Sequence, residues 1–148
     1  MRINIVLTIL EVAFPKTALL LLTVVVFFGF STAISAETEP KFQTSEEVVS
    51  ELIEAMKIND AERIRAVFAE NASQAYGQGK PKSGKVFRSW LESDIIRVHG
   101  RVENPTFDTE EDKVILKGKY LNNTGYSSTA NFLFTVKNGK IIDWRMRY

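Results

Sequence analysis

An α+β domain, with helices leading and an antiparallel sheet following, is what this 148-residue sequence predicts. Three observations carry that expectation. Apolar residues recur at helical spacing between Val48 and Val98. From Arg101 onward the period changes to two, as in strands that cover one face. The strand-like segments are joined by short turns, among them Asn138-Gly139. That dipeptide suits a two-residue hairpin because both positions tolerate the positive φ angles of a type I′ turn.

Ahead of the domain stands a segment of different composition. Residues 1–36 hold 24 of the 66 apolar residues and only three charges, Arg2, Glu11 and Lys16. Thr17 to Phe30 (TALLLLTVVVFFGF) carries no charge, and Ser31 to Ala36 are mostly small. A basic start, an apolar core and a small-residue stretch form the pattern of an export signal, here expected to be cleaved after Ala36. The apolar run is short of the roughly 20 residues that a membrane span needs. If the segment stays uncleaved, residues 17–36 are the only expected membrane contact. In either case the domain is expected outside the cytoplasm, secreted or periplasmic. Residues 37–43 read as a polar linker and residues 44–148 as the folded domain.

The first helix is predicted over residues 44–58. Thr44-Ser45-Glu46-Glu47 is a capping box, in which the Thr hydroxyl takes a backbone N–H and Glu47 reaches back to the cap. Val48, Leu52, Ala55 and Met56 follow as one stripe, widened by Val49 and Ile53. Asn59-Asp60 ends this run and caps a second helix over 60–69, whose apolar side is Ile64, Val67 and Phe68. Residues 70–84 hold three Gly and one Pro and read as irregular chain with a short strand near Ser73–Tyr76. A third helix over 85–98 gathers Val86, Phe87, Trp90, Leu91, Ile95 and Val98 in one broad stripe, with Asp94 at its margin.

Strands are predicted near 101–108, 113–121, 126–137 and 140–148, joined by turns at 110–112, 122–125 and 138–139, which makes an antiparallel meander. Pro105 places the first strand at an edge or on a bulge. Parity assigns Val114, Leu116, Gly118, Tyr120, Ala130, Phe132, Phe134 and Val136 to the helix side. In the last strand Ile142, Trp144, Met146 and Tyr148 share that side. The opposite face is polar but carries Ile115, Leu133 and Ile141, which suggest a homodimer contact through the sheet.

A helical hairpin, a third helix and a curved antiparallel sheet resemble the NTF2-like, or SnoaL-like, superfamily over about residues 44–148. The resemblance rests on Ser45 to Phe68, on the helix start from Gly84 to Trp90, and above all on Phe132 to Arg145 (FLFTVKNGKIIDWR). It implies a cone with a pocket between sheet and helices. It also implies a function drawn from isomerases, dehydratases, cyclases, hydrolases and non-catalytic binding domains, since fold does not determine function. The pocket so implied is lined by Tyr76, Phe87, Trp90, Tyr120, Phe132 and Trp144.

Residues able to do acid–base chemistry there are few. Asp94 or His99 is the candidate base and Tyr120 the candidate acid for a small lyase or isomerase. Asp143 and Arg145 share the outer face and read as a solvated ion pair. Lys80, Lys82 and Lys85 read as a solvated basic loop. With no Cys, the chain has no disulfide, thiolate metal site or Cys nucleophile. With one His, it offers no His-rich metal site, and no metal or other cofactor is expected. Residues 37–148 carry 17 basic and 17 acidic side chains, so nucleic acid is not an expected partner. The expected partner is a small apolar or amphipathic molecule.

Overall fold

The computed structural model of the chain describes residues 44–148. The export segment and linker expected over 1–43 lie outside the described residues. Helix α1 (Ser45–Ile58) is followed by α2 (Ala61–Ala66), strands β1 (Phe68–Tyr76) and β2 (Lys82–Ser83), and helix α3 (Gly84–Trp90). Helix α3 continues as a π-helical turn over Leu91–Ile96. Strands β3 (Arg101–Glu110), β4 (Lys113–Leu121), β5 (Ser127–Lys137) and β6 (Lys140–Met146) complete the chain. The six strands form one curved sheet in the order β2-β1-β6-β5-β4-β3, antiparallel except where β1 runs parallel to β6. Among the described residues no helix is long and apolar enough to cross a membrane.

The helix ends follow the local chemistry. The Glu47 N–H donates to Thr44 Oγ1 at 3.2 Å and the Thr44 N–H to Glu47 Oε2 at 3.1 Å, so the capping box forms as predicted. Asp60 caps α2 by accepting from the Arg63 N–H at 3.1 Å. Helix α2 is shorter than predicted: Val67 ends it and Phe68 already belongs to β1. Residues 68–76 are a nine-residue strand, which contains the short strand expected near Ser73–Tyr76 and extends it back through residues read as helix end and irregular chain. Its composition (FAENASQAY) has no β-branched residue and only two aromatic ones, at its ends, so the local preference for extension is weak. Pairing with β6, not propensity, makes it a strand.

The meander from β3 to β6 forms with the predicted turns, but two bulges shift its faces. In β3, Glu103 pairs with Lys119 and Thr106 with Lys117, so one residue at Asn104-Pro105 is extra. Strand β3 is also an edge of the sheet, as Pro105 suggested. In β6, Asp143 pairs with Thr135 and Ile141 with Val136, leaving Ile142 as the extra residue. This corrects the parity reading of the last strand. Ile141 is fully buried in the core instead of standing on the outer face. Tyr148, expected to face the helices, is exposed because the strand ends at Met146. A bulge moves every residue on one side of it to the other face.

The core lies between the helices and the inner face of the sheet. Val48, Leu52, Ile53 and Met56 of α1 meet Val114, Leu116, Phe134 and Ile141. Beside them lies an aromatic cluster centred on the fully buried Trp144. Its ring meets Trp90 edge-on at 5.2 Å, Phe132 at 5.4 Å and Phe134 at 5.1 Å. Such pairs contribute about 0.5–1.5 kcal/mol each beyond their buried area.

Candidate ligand cavity

A cavity of about 320 Å³ opens where α3, its π-helical turn and the β4–β5 hairpin meet the inner face of the sheet. Its walls include Tyr76, Trp90, Asp94, Tyr120, Tyr126 and Phe132. Each element delivers its residue for a local reason. Strand parity turns Tyr120 and Phe132 inward, and the pair meets edge-on at 6.4 Å. Helix α3 brings Trp90 over the sheet. Its indole N–H donates to the Tyr76 hydroxyl at 3.0 Å, tying the helix to the end of β1.

Tyr120 fastens the hairpin to the helix end. Its hydroxyl donates to the Asp94 carbonyl at 3.0 Å. Carbonyls near a helix terminus lack intrahelical donors and take such side-chain partners. The N–H of Asn123 donates to the Val98 carbonyl at 2.8 Å, a second tie between the same two elements. The Asn122 side chain organises the hairpin: its Oδ1 accepts from the Thr124 N–H, the Thr124 hydroxyl and the Tyr126 N–H. Burial pushes the Tyr120 hydroxyl up to about 12, while the Asn122 side chain beside it acts in the opposite direction. Burial raises Tyr76 as well, against the bond from Trp90, and the Asp94 charge adds to the rise at both tyrosines.

The sequence-predicted site residues separate into three groups. Tyr76, Trp90, Asp94, Tyr120 and Phe132 come together around the cavity. Phe87 and Trp144 do not line it. Both are buried in the aromatic cluster behind it, and Phe87 lies on the wall of a second, apolar cleft with Phe68 and Leu91. His99 is also off the cavity. It is exposed, with φ at 51°, and its N–H donates to the Ile96 carbonyl, so it terminates the helix. The Asp94 carboxylate accepts from the Ser93 hydroxyl at 2.6 Å and stands at the solvent-exposed mouth.

On the outer face, Ile115 and Leu133 are cross-strand partners and half-buried, while Ile141 is in the core. Asp143 accepts from the Ser73 hydroxyl at 2.6 Å and lies 3.9 Å from the Arg145 guanidinium, in the predicted outer ion pair. Lys82, read as part of a solvated loop, is instead half-buried, and its ammonium donates to Gln74 Oε1 at 3.0 Å.

Asn122, Tyr126, Ser128 and Met146 also line the cavity. Of these, sequence reasoning put only Met146 on the inner side. The signal for the others was present. Asn122 shares the parity of Tyr120, and Tyr126 and Ser128 share that of Phe132, so carrying the alternation through the turn finds all three.

No family model matches the chain and no curated protein matches it by sequence. Solved structures do match it by shape. An NTF2-like protein of unknown function from Cytophaga hutchinsonii superposes with a TM-score of 0.61 at 18% identity, over 72% of this chain and 92% of that one. A candidate polyketide cyclase from Sinorhizobium meliloti gives 0.57 at 22% identity, over 72% of this chain and all of that one. TerC, crystallised with polyporic acid, gives 0.55 at 18% identity, over 70% of this chain and 90% of that one. The chain therefore has the NTF2-like fold that its sequence resembles.

Proposed function

We propose that this chain is an exported binding domain that holds a small apolar or amphipathic molecule in the cone cavity without transforming it. The observation that carries this reading is the state of Tyr120. A general acid must give its proton to the substrate. The Tyr120 proton is committed to the Asp94 carbonyl, and burial makes the hydroxyl harder to ionise. The two candidate bases fit no better, since the Asp94 carboxylate stands in solvent and His99 is away from the cavity. What remains is an aromatic-walled concavity with a few polar groups at its rim, the usual build of a small-molecule site. Among neighbours in shape, TerC was crystallised with polyporic acid, which supports a small-molecule reading of the cone. Export rests on residues 1–36, with their basic start, apolar core and small-residue end.

A self-association surface goes with this reading because Ile115 and Leu133 sit side by side on the outer face of the meander. It is smaller than the sequence suggested, since Ile141 does not contribute to it. The test of the binding reading is a crystal structure of the protein purified natively from its host. The expected result is electron density for a bound small molecule against Trp90, Tyr120 and Phe132. A cavity closed by its own side chains would overturn the reading.

A further inference from the structure

We infer that the ligand of this cavity carries a cationic group, of the quaternary ammonium class, on an apolar body. The inference rests on the reading of the cavity as a ligand site and adds the charge of what enters it. Among the lining side chains, Asp94 alone bears a formal charge, and no Lys, Arg or His is present. The rest of the wall is dominated by five aromatic rings. Tyr120 stands at 60° to Tyr126 and at 68° to Phe132, with centroids 6.2 and 6.4 Å apart. The space they border is the cavity itself, whose wall all three rings line. A box of ring faces and edges with one carboxylate at its mouth is the arrangement that attracts an alkylated ammonium, whose diffuse charge interacts with the aromatic quadrupoles.

The alternatives are poorer matches. An anionic ligand in the cavity would meet Asp94 with no countercharge in the lining, since Lys82 and Lys85 border Asp94 on the adjoining outer cleft and not on this one. A neutral ligand covering the mouth would strip water from the carboxylate and leave it the Ser93 hydroxyl but no countercharge, which is costly. A cation at the mouth compensates that loss, while its apolar body reaches toward Phe132 and Met146. The carboxylate is held for this role by the Ser93 hydroxyl at 2.6 Å. It borders the same cavity as Tyr76, Trp90 and Tyr120, which places it beside the aromatic walls. The Tyr76 ring already carries one cation: the Lys82 ammonium lies 4.3 Å from its centroid. That ammonium is bonded to Gln74 Oε1 and does not line the cavity, so the lining still has no positive charge of its own.

The chain's two tryptophans make the test direct, because Trp90 lines the cavity and Trp144 packs 5.2 Å behind it. Tryptophan emission of the purified protein is titrated with three probes of similar shape: benzyltrimethylammonium, uncharged (2,2-dimethylpropyl)benzene and phenylmethanesulfonate. The cation is expected to bind about tenfold more tightly than its uncharged isostere, a preference in the range of desolvated cation–π contacts with a nearby carboxylate, and the sulfonate more weakly than both. Asp94→Asn keeps an acceptor for Ser93. It is expected to reduce the preference to about twofold, the share left to the rings alone, and to tighten binding of the neutral probe, because an amide costs less to cover than a carboxylate. Equal or tighter binding of the neutral or anionic probe overturns the charge inference alone. So does a preference that Asp94→Asn leaves intact. Failure of all three probes to bind overturns the ligand-site reading as well.

Discussion

Tyr120 is the residue on which both the shape and the chemistry of the cavity depend. Its hydroxyl joins the β4–β5 hairpin to the helix end, and burial raises its pKa to about 12 from the ordinary value of 10. A tyrosine raised in this way favours the folded state fully below pH 10. That contribution is lost as the pH climbs from 10 toward 12, because the unfolded chain releases the proton first. The unfolding free energy should therefore fall across this interval, and the fall should be shallower in Tyr120→Phe. Near neutral pH the same substitution should cost about 1–2 kcal/mol, the loss of a buried hydrogen bond that leaves a carbonyl without its donor. Chemical denaturation at several pH values measures both. Gly100 protects the same contact, since a Cβ there would overlap the Tyr120 hydroxyl. Gly100→Ala should destabilise the protein by about 1–3 kcal/mol, as overpacking does. In the double variant with Tyr120→Phe the two costs should sum to less than their separate values, because the hydroxyl that meets the methyl is gone.

At the scale of elements, local signals that stand alone were legible. The capping box, the Asn-Gly turn and the alternation in β4 and β5 each specify their own stretch of chain, and each appears where the sequence puts it. What failed depends on partners distant in sequence. Strand β1 has the composition of a loop and is extended because β6 lies alongside it. The bulge at Ile142 has no Gly or Pro to announce it, and it moved Ile141 from the expected outer face into the core. The π-helical turn over Leu91–Ile96 is equally silent in sequence, although it carries Asp94 to the cavity mouth. The bulge in β3 was legible because Pro105 cannot join the ladder. It has a counterpart in Gly118, where a Cβ would come within 2.7 Å of Val102 Cγ1 and 2.8 Å of the Glu103 carbonyl oxygen. Gly118→Ala should lower stability by about 1–3 kcal/mol through this backbone crowding. Thermal unfolding, followed by circular dichroism, checks it.

For the whole molecule, the division of composition matters more than its average. Apolar content is concentrated in residues 1–36, and residues 37–148 balance 17 positive against 17 negative side chains. The domain thus has no overall field to attract a polyanion, and its cone cavity is walled by aromatic rings. The proposed self-association belongs to this scale. Sizing of the purified protein should give a dimer, and Leu133→Asp, by placing a charge against its own copy, should give a monomer. A wild-type monomer, unchanged by Leu133→Asp, would contradict it. Binding in the cone is the central claim, and titration with the neutral fluorophore N-phenyl-1-naphthylamine tests it most directly, comparing wild type with Ser128→Phe, which places a ring in the cavity from β5. The account predicts saturable one-to-one enhancement in the wild type. It predicts loss of that signal in Ser128→Phe while the unfolding midpoint is retained. No saturable binding, or binding that the added ring leaves unchanged, would contradict it.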